Sequence, residues 1–238
     1  MRFLLVVVLT SLVAVAHAGK HEAFQREIKW TLSLDADGRI ERLTPIDTDY
    51  LPEVRTQIEP IVRTWHFTPG KINGRPAATE TTLWVTVAFD AESTSSEHYQ
   101  ARIASASTGP RYEHVVAPHY PEAAQHVHAE GEVMVWTTFD ADGRVTSAKN
   151  YPEMSADHVS PMLVDAATDA VKHWTFRPET VAGHGIASEA LVPFCFRMRD
   201  GECHWKPRPN KRPFHSGEAV ALSSVVGLDT GDEARQLP

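Results

Sequence analysis

The chain has 238 residues, 42% of them apolar, which is enough material for two small hydrophobic cores. Its formal net charge of −8 at pH 7 excludes the net basic surface with which a nucleic-acid binder meets phosphate. Cys195 and Cys203, the two cysteines, are not spaced as Cys-x-x-Cys; in an oxidising compartment such a nearby pair reads as a disulfide rather than a metal site or redox motif.

Residues 1–18 have the parts of a secretory signal peptide: Arg2 as the positive region, Phe3 to Ala16 as the apolar run, and Ala16-His17-Ala18 as a small-x-small cleavage site. The rival reading is an uncleaved anchor, for which the apolar run is shorter than the roughly 20 residues that span a bilayer.

An alternating strand follows, with Ile28, Trp30, Leu32 and Leu34 on one side, and closes in the turn Asp35-Ala36-Asp37-Gly38-Arg39. A helix starting at Pro52 carries Val54, Ile58, Ile61, Val62 and Trp65, with Pro60 inside it, so a bend or restart is expected there. Trp65-His66-Phe67-Thr68-Pro69 ends the helix, and a strand with Leu83, Val85, Val87 and Phe89 facing inward closes the unit.

The same landmarks recur about 105 to 109 residues later, an internal repeat with its length changes in the loops. Tyr120-Pro121 opens a short helix; Val133, Val135, Thr137 and Phe139 alternate into Asp140-Ala141-Asp142-Gly143-Arg144. Ser160-Pro161 begins a helix with Leu163, Ala166, Ala167, Ala170, Val171 and Trp174 on one face, and Ala190, Val192, Phe194 and Phe196 close the copy. The fold class is therefore α+β: two tandem small domains, each a three-stranded antiparallel sheet with a helix packed on one face. The expected boundaries are a signal peptide over 1–18, a first, degenerate repeat over 19–90, a linker over 91–117, a second domain over 118–205, and a disordered tail over 206–238.

Other chemistry has little support. His114, His119, His126 and His128 match no metal-ligand spacing and read as solvated surface residues, so no metal and no cofactor is expected. The paired aspartates are turn formers, and there is no nucleophile elbow or phosphate-cradling glycine loop. No enzymatic activity is expected.

Taken in order, Tyr120-Pro121, the strand from Gly131, the Asp-Gly turn, the alanine-rich helix, Trp174-x-Phe176-x-Pro178 and Val192-Pro193-Phe194-x-Phe196 resemble the C-terminal domain of TonB, the energy transducer of Gram-negative outer-membrane uptake. Residues 27 to 89 resemble it more weakly. The resemblance implies a periplasmic domain that grips a short peptide of an outer-membrane transporter, the TonB box, by adding it as a strand beside the last strand of its sheet. The partner would be a TonB-dependent transporter or another envelope protein; a membrane-retained transducer and a self-assembling homodimer are the alternatives.

Main-chain capture needs an open edge strand. The candidates are Trp84, Thr86 and Ala88 in the first copy and Leu191 and Pro193 in the second, Pro193 being a residue that belongs on an edge. A turn at 199–202 would bring Cys203, His204 and Trp205 back beside Cys195, which would cover the second edge and favour the first. Trp84 and Trp136, on the outer faces of their strands, are the aromatics expected to meet a partner.

Overall fold

The computed structural model describes residues 24–46, 52–91, 99–156, 158–199, 203, 205, 217 and 219–229. The expectations for the signal peptide and for the turn at 200–202 lie outside these residues. No helix among the described residues is long and apolar enough to cross a membrane.

In the first unit β1 (Phe24–Leu34) and β2 (Ile40–Pro45) form an antiparallel hairpin. Helix α1 (Pro52–Val62) follows, then the short strands β3 (His66–Thr68), β4 (Lys71–Ile72) and β5 (Arg75–Pro76), and the long β6 (Thr79–Ala91). β6 pairs with β1 along its length, from Leu34↔Thr79 to Phe24↔Phe89. The alternation read from sequence sets the core: Ile28, Trp30, Leu32 and Leu34 of β1 and Leu83, Val85, Val87 and Phe89 of β6 are buried together with Ile58 and Val62 of α1. The helix runs through Pro60 and ends two residues later, with no restart. Pro60 and Thr56, whose carbonyl loses its usual helical donor, are both exposed, so water can satisfy that carbonyl.

The stretch expected to be a linker contains an 11-residue strand, β7 (Tyr99–Gly109), which pairs antiparallel with β6 from Thr82↔Gly109 to Ala91↔Tyr99. It leads through β8 (Arg111–His114) and the one-turn helix α2 (Glu122–His126) into the second unit.

That unit repeats the order: β9 (Gly131–Phe139), β10 (Val145–Asn150), α3 (Pro161–Lys172), β11 (Thr175–Arg177), β12 (Thr180–Val181), β13 (His184–Gly185) and β14 (Ser188–Phe196). Its three main strands lie in the order β10-β9-β14. Leu163, Ala167 and Val171 of α3 pack with Trp174 on Val133, Val135, Phe139, Val192, Phe194 and Phe196. Ser160 holds the N-cap position through its carbonyl, which accepts from Leu163 and Val164; its hydroxyl makes no capping bond. β11 pairs with β8, which ties the entry segment to the end of α3.

The two Asp-Ala-Asp-Gly-Arg turns have one geometry. Asp35 Oδ1 accepts from the amides of Asp37 and Arg39 at 2.9 and 2.8 Å, and Asp140 Oδ1 from those of Asp142 and Arg144 at 3.0 and 2.8 Å. Gly38 and Gly143 both have φ of +82°, and a Cβ on either would collide with the carbonyl of Phe67 or Phe176. The aromatic-x-Pro segment of each copy thus lies directly on its turn glycine, which is why the two landmarks recur together.

Two further strands come from the tail that the sequence marks as disordered. β15 (Val220–Ala221) pairs with β14, and β16 (Gly227–Asp229) pairs with β3 of the first unit. Their ladders, together with Val225, Val226 and Leu228 packed against the first core and Val220 against Leu191, hold this segment in place.

The units join at Glu179, a carboxylate only 2% exposed. It accepts from Thr81 Oγ1 at 2.6 Å, from Ser224 Oγ at 2.6 Å and from the Val225 amide at 2.8 Å, all neutral donors. Beside it β12 extends the first sheet through Thr180↔Glu80 and Val181↔Thr79, the Ala182 amide donates to Ala78 O at 2.7 Å, and Arg177 pairs with Glu80 at 2.9 Å. Gly70 lies under this junction, where a Cβ would come within 2.5 Å of Val181 Cγ2.

Two variants test these constraints by urea denaturation. Gly143→Ala combines left-handed strain with a collision against backbone and is expected to lower stability by at least about 2 kcal/mol. Glu179→Ala leaves one buried donor and two half-buried ones without their acceptor and should cost about 2–3 kcal/mol. Glu179→Gln, which keeps a carbonyl acceptor, should cost less than the alanine.

Candidate functional site

In an antiparallel strand the N–H and C=O of one residue point to the same neighbour, and successive residues alternate between the two sides. In β14, Pro193 O accepts from the Gly217 amide at 2.7 Å and Glu189 O from the Leu222 amide at 3.2 Å, so the odd-numbered residues turn their backbone away from β9. Leu191 shares this parity and pairs with Val220. Proline is therefore free at position 193: the N–H it lacks would have pointed off the sheet, not into the β9 ladder. Pro193 stands on the sheet edge formed by β14, as its residue type suggests.

The edge has a small apolar groove at its C-terminal end, about 330 Å³ in volume, lined by Val115, Pro118, Tyr120, Phe194, Phe196 and Gly217 among others. The Tyr120 ring packs edge-on against Phe196 with centroids 5.5 Å apart, and its hydroxyl donates to Ala129 O at 2.5 Å. Burial, with the charge of Glu130 adding to it, raises the Tyr120 pKa above the ordinary phenol value, so the donor keeps its proton. Arg197 at the groove mouth pairs with Glu132, and with Glu130 at 3.7 Å. Cys195 is joined to Cys203 with Cα atoms 6.0 Å apart, the pairing expected from sequence.

The face of β14 opposite α3 is covered as well. Leu191 is 4% exposed and packs with Met134, Trp136, Tyr151, Met154, Trp205 and Val220. Trp136, expected to await a partner, lies half-buried in this cluster with its Nε1 donating to Glu189 Oε2 at 3.0 Å.

The first-copy candidates need correction. Trp84, Thr86 and Ala88 are all buried, at 7%, 7% and 3% exposure, on a strand paired with β1 on one side and β7 on the other. β6 is a central strand along this stretch and offers no open edge. The reason is β7, whose serines, alanines and glycine carry no hydrophobic pattern in sequence yet supply a full ladder.

The expected covering of the β14 edge also takes a different form. Gly217 and residues 219–222 lie on Ala190, Leu191 and Pro193, and the return strand expected at 203–205 includes residue 204, which lies outside the described residues. Only weak signals point to residues 219–222, a short Ala-Val-Ala-Leu run between polar residues.

No group of three or more histidine, cysteine, aspartate or glutamate side chains among the described residues is arranged to hold a metal ion. A second groove of about 310 Å³ lies between the units, lined by Lys29, Trp84, Arg111, Tyr112 and His114 among others, with Lys29 6.0 Å above the Tyr112 ring.

Residues 116–198 match the family described as Gram-negative bacterial TonB protein C-terminal. This stretch is similar to the C-terminal domain of TonB. The TonB proteins of two strains of Xanthomonas campestris pv. campestris are each 36% identical to it over 81 residues, 34% of this chain. The match spans 34% of those relatives' own length. A solution structure of the Pseudomonas aeruginosa TonB C-terminal domain is 27% identical, covering 39% of this chain and 90% of that one, with a TM-score of 0.32.

The disulfide ties the end of β14 to Cys203, beyond the matched stretch. Replacing both Cys195 and Cys203 with serine should cost about 2–3 kcal/mol for so short a loop. A denaturation midpoint unmoved by the double substitution would show that the bond constrains nothing.

Proposed function

We propose that the chain is a non-enzymatic, periplasmic protein that binds an extended peptide of an outer-membrane transporter or other envelope protein by strand addition at the outer edge of β14, as an accessory to outer-membrane transport. The observation that supports this most is the backbone of β14 itself: Glu189, Leu191 and Pro193 turn their main-chain groups away from the sheet, and short segments of chain already bond there in antiparallel register. β6, which stands in the first unit where β14 stands in the second, carries a complete added strand on the same side in β7. In this reading the first unit is a second, degenerate TonB C-terminal copy whose binding edge is filled by the chain that follows it.

Main-chain hydrogen bonds need no particular side chain from the host, and each adds about 1 kcal/mol net. Affinity then depends on how many outward groups a peptide can reach, and selectivity on the groove beside Tyr120 and Phe196.

Synthetic peptides from the periplasmic N-terminal segments of outer-membrane transporters test the reading by amide chemical shifts. Binding should move the Leu191 amide, which faces outward, well before those of Val192 and Phe194, which face β9. Unchanged shifts at about millimolar peptide, the concentration range where affinity falls to roughly 4 kcal/mol, would end this reading. Periplasmic placement has its own measurement: a mature chain starting near Gly19 in the soluble fraction fits an accessory binder, and an intact Met1 in the inner membrane would make it an anchored transducer.

A further inference from the structure

Gly217 and residues 219–222 lie where an added peptide would lie, and three features show how closely they imitate one. They run antiparallel to β14, with Ala190↔Ala221 and Leu191↔Val220 in register. The Gly217 and Leu222 amides donate to Pro193 O and Glu189 O, two of the main-chain acceptors that an incoming strand would use. The side chains divide between the two faces of the sheet: Ala219, 7% exposed, joins the α3 core, while Val220 joins the Met134 and Leu191 cluster on the other face.

We infer that Gly217 and residues 219–222 are an intramolecular ligand of the β14 edge, which a peptide from another protein must displace, and that their pattern states what the edge accepts. The inference rests on the strand-addition reading given above. The accepted segment is extended, with a β-branched residue between two small ones at 219–221. The small residues are required by space. Ala219 is enclosed by the core, and Ala221 abuts the backbone of Gly109, where its Cβ lies 3.0 Å from the position a Cβ on that glycine would take.

The strap has a firm root and a light tip. On its C-terminal side Val225 N–H and Ser224 Oγ bind Glu179, Val226 is 4% exposed, and β16 pairs with β3. The tip holds β14 by two paired residues and the bonds from Gly217 and Leu222. Leu222 itself is 39% exposed. A peptide can therefore lift the tip while the root stays attached to both units.

The test uses the full-length, oxidised protein and a fluorescein-labelled peptide of residues 217–224, Gly-Glu-Ala-Val-Ala-Leu-Ser-Ser. Leu222→Pro removes the donor to Glu189 O, and Val220→Pro, on the same parity, removes the donor facing Leu191; the double variant loosens the tip. Leu222→Ala, which keeps the bond, is the control. Hydrogen exchange at the Leu191 amide reports release of the edge, and at the Val192 amide it reports an intact sheet.

The double variant should bind the peptide at least about tenfold more tightly than the native chain and the Leu222→Ala control. Its Leu191 amide should exchange faster while that of Val192 does not. The same peptide carrying Val220→Asp should not bind. Equal affinity in native and double-variant protein would overturn the strap as a guard and leave peptide capture standing. An unchanged Leu191 exchange rate in the double variant would overturn it too, since the ladder would then not be what holds the tip. A released edge that still takes no peptide would overturn strand addition at β14 and this inference with it.

Discussion

A single buried carboxylate holds the molecule together. Glu179 draws one donor from β6 of the first unit and two from the C-terminal segment, while its own backbone belongs to the second unit between β11 and β12. Each donor is neutral, so the carboxylate is stabilised by hydrogen bonds to its oxygens and not by a counter-charge. Thr81 Oγ1 passes the constraint on by accepting from the Gly109 amide at 3.0 Å, which fixes the end of β7 on the first sheet. Ser224 Oγ does the same for the Val226 amide at 3.0 Å. Three pieces of chain distant in sequence are thus positioned from one pair of oxygens.

The two units meet the same hazard in different ways. A last strand with unpaired backbone on its outer side is a template for association. In the first unit the chain turns back at once and covers that side with β7 over ten paired residues. In the second unit the cover arrives from far along the chain and is short, two paired residues and two further amides. The first solution is part of the sheet. The second is held to β14 by few bonds, while the ladder between β14 and β9 extends over nine paired residues on the other side of the strand.

Sequence reading succeeds here where the signal is local. The Asp-Ala-Asp-Gly-Arg turns were legible because Asp and Gly have few other reasons to recur at that spacing, and the core strands because alternation over Ile28 to Leu34 or Val133 to Phe139 has one physical meaning. Pro193 marks its edge for an equally local reason, a missing donor. β7 and residues 219–229 are not legible in sequence because their order depends on partners elsewhere in the chain. Alanine, serine and threonine make weak strands alone, and these become strands only against β6, β14 and β3. Glu179 was invisible for the same reason: a carboxylate after a proline reads as a surface residue until Thr81 and Ser224 are folded onto it. The tight hairpins at Asn73-Gly74 and Ala182-Gly183 are an intermediate case. Asn-Gly is a strong hairpin signal, whereas Ala182 takes φ of +51° without any such signal.

The strap at β14 also shows why a short ladder can guard a site that it could never occupy as a separate peptide. At about 1 kcal/mol net for each hydrogen bond, the few bonds of the tip amount to a few kcal/mol, no more than a millimolar affinity for a free segment. Attachment at Glu179, a few residues away, removes the cost of bringing the segment to the edge and holds it at an effective concentration of order millimolar or above. Under those terms the tip is bound most of the time yet breaks contact readily. An outside peptide has to exceed it by more bonds or better side-chain fit, and that contest sets selectivity. The root sits on the junction between the units, so the balance at the edge depends on the packing of Thr81, Ser224 and Glu179 as much as on β14 itself.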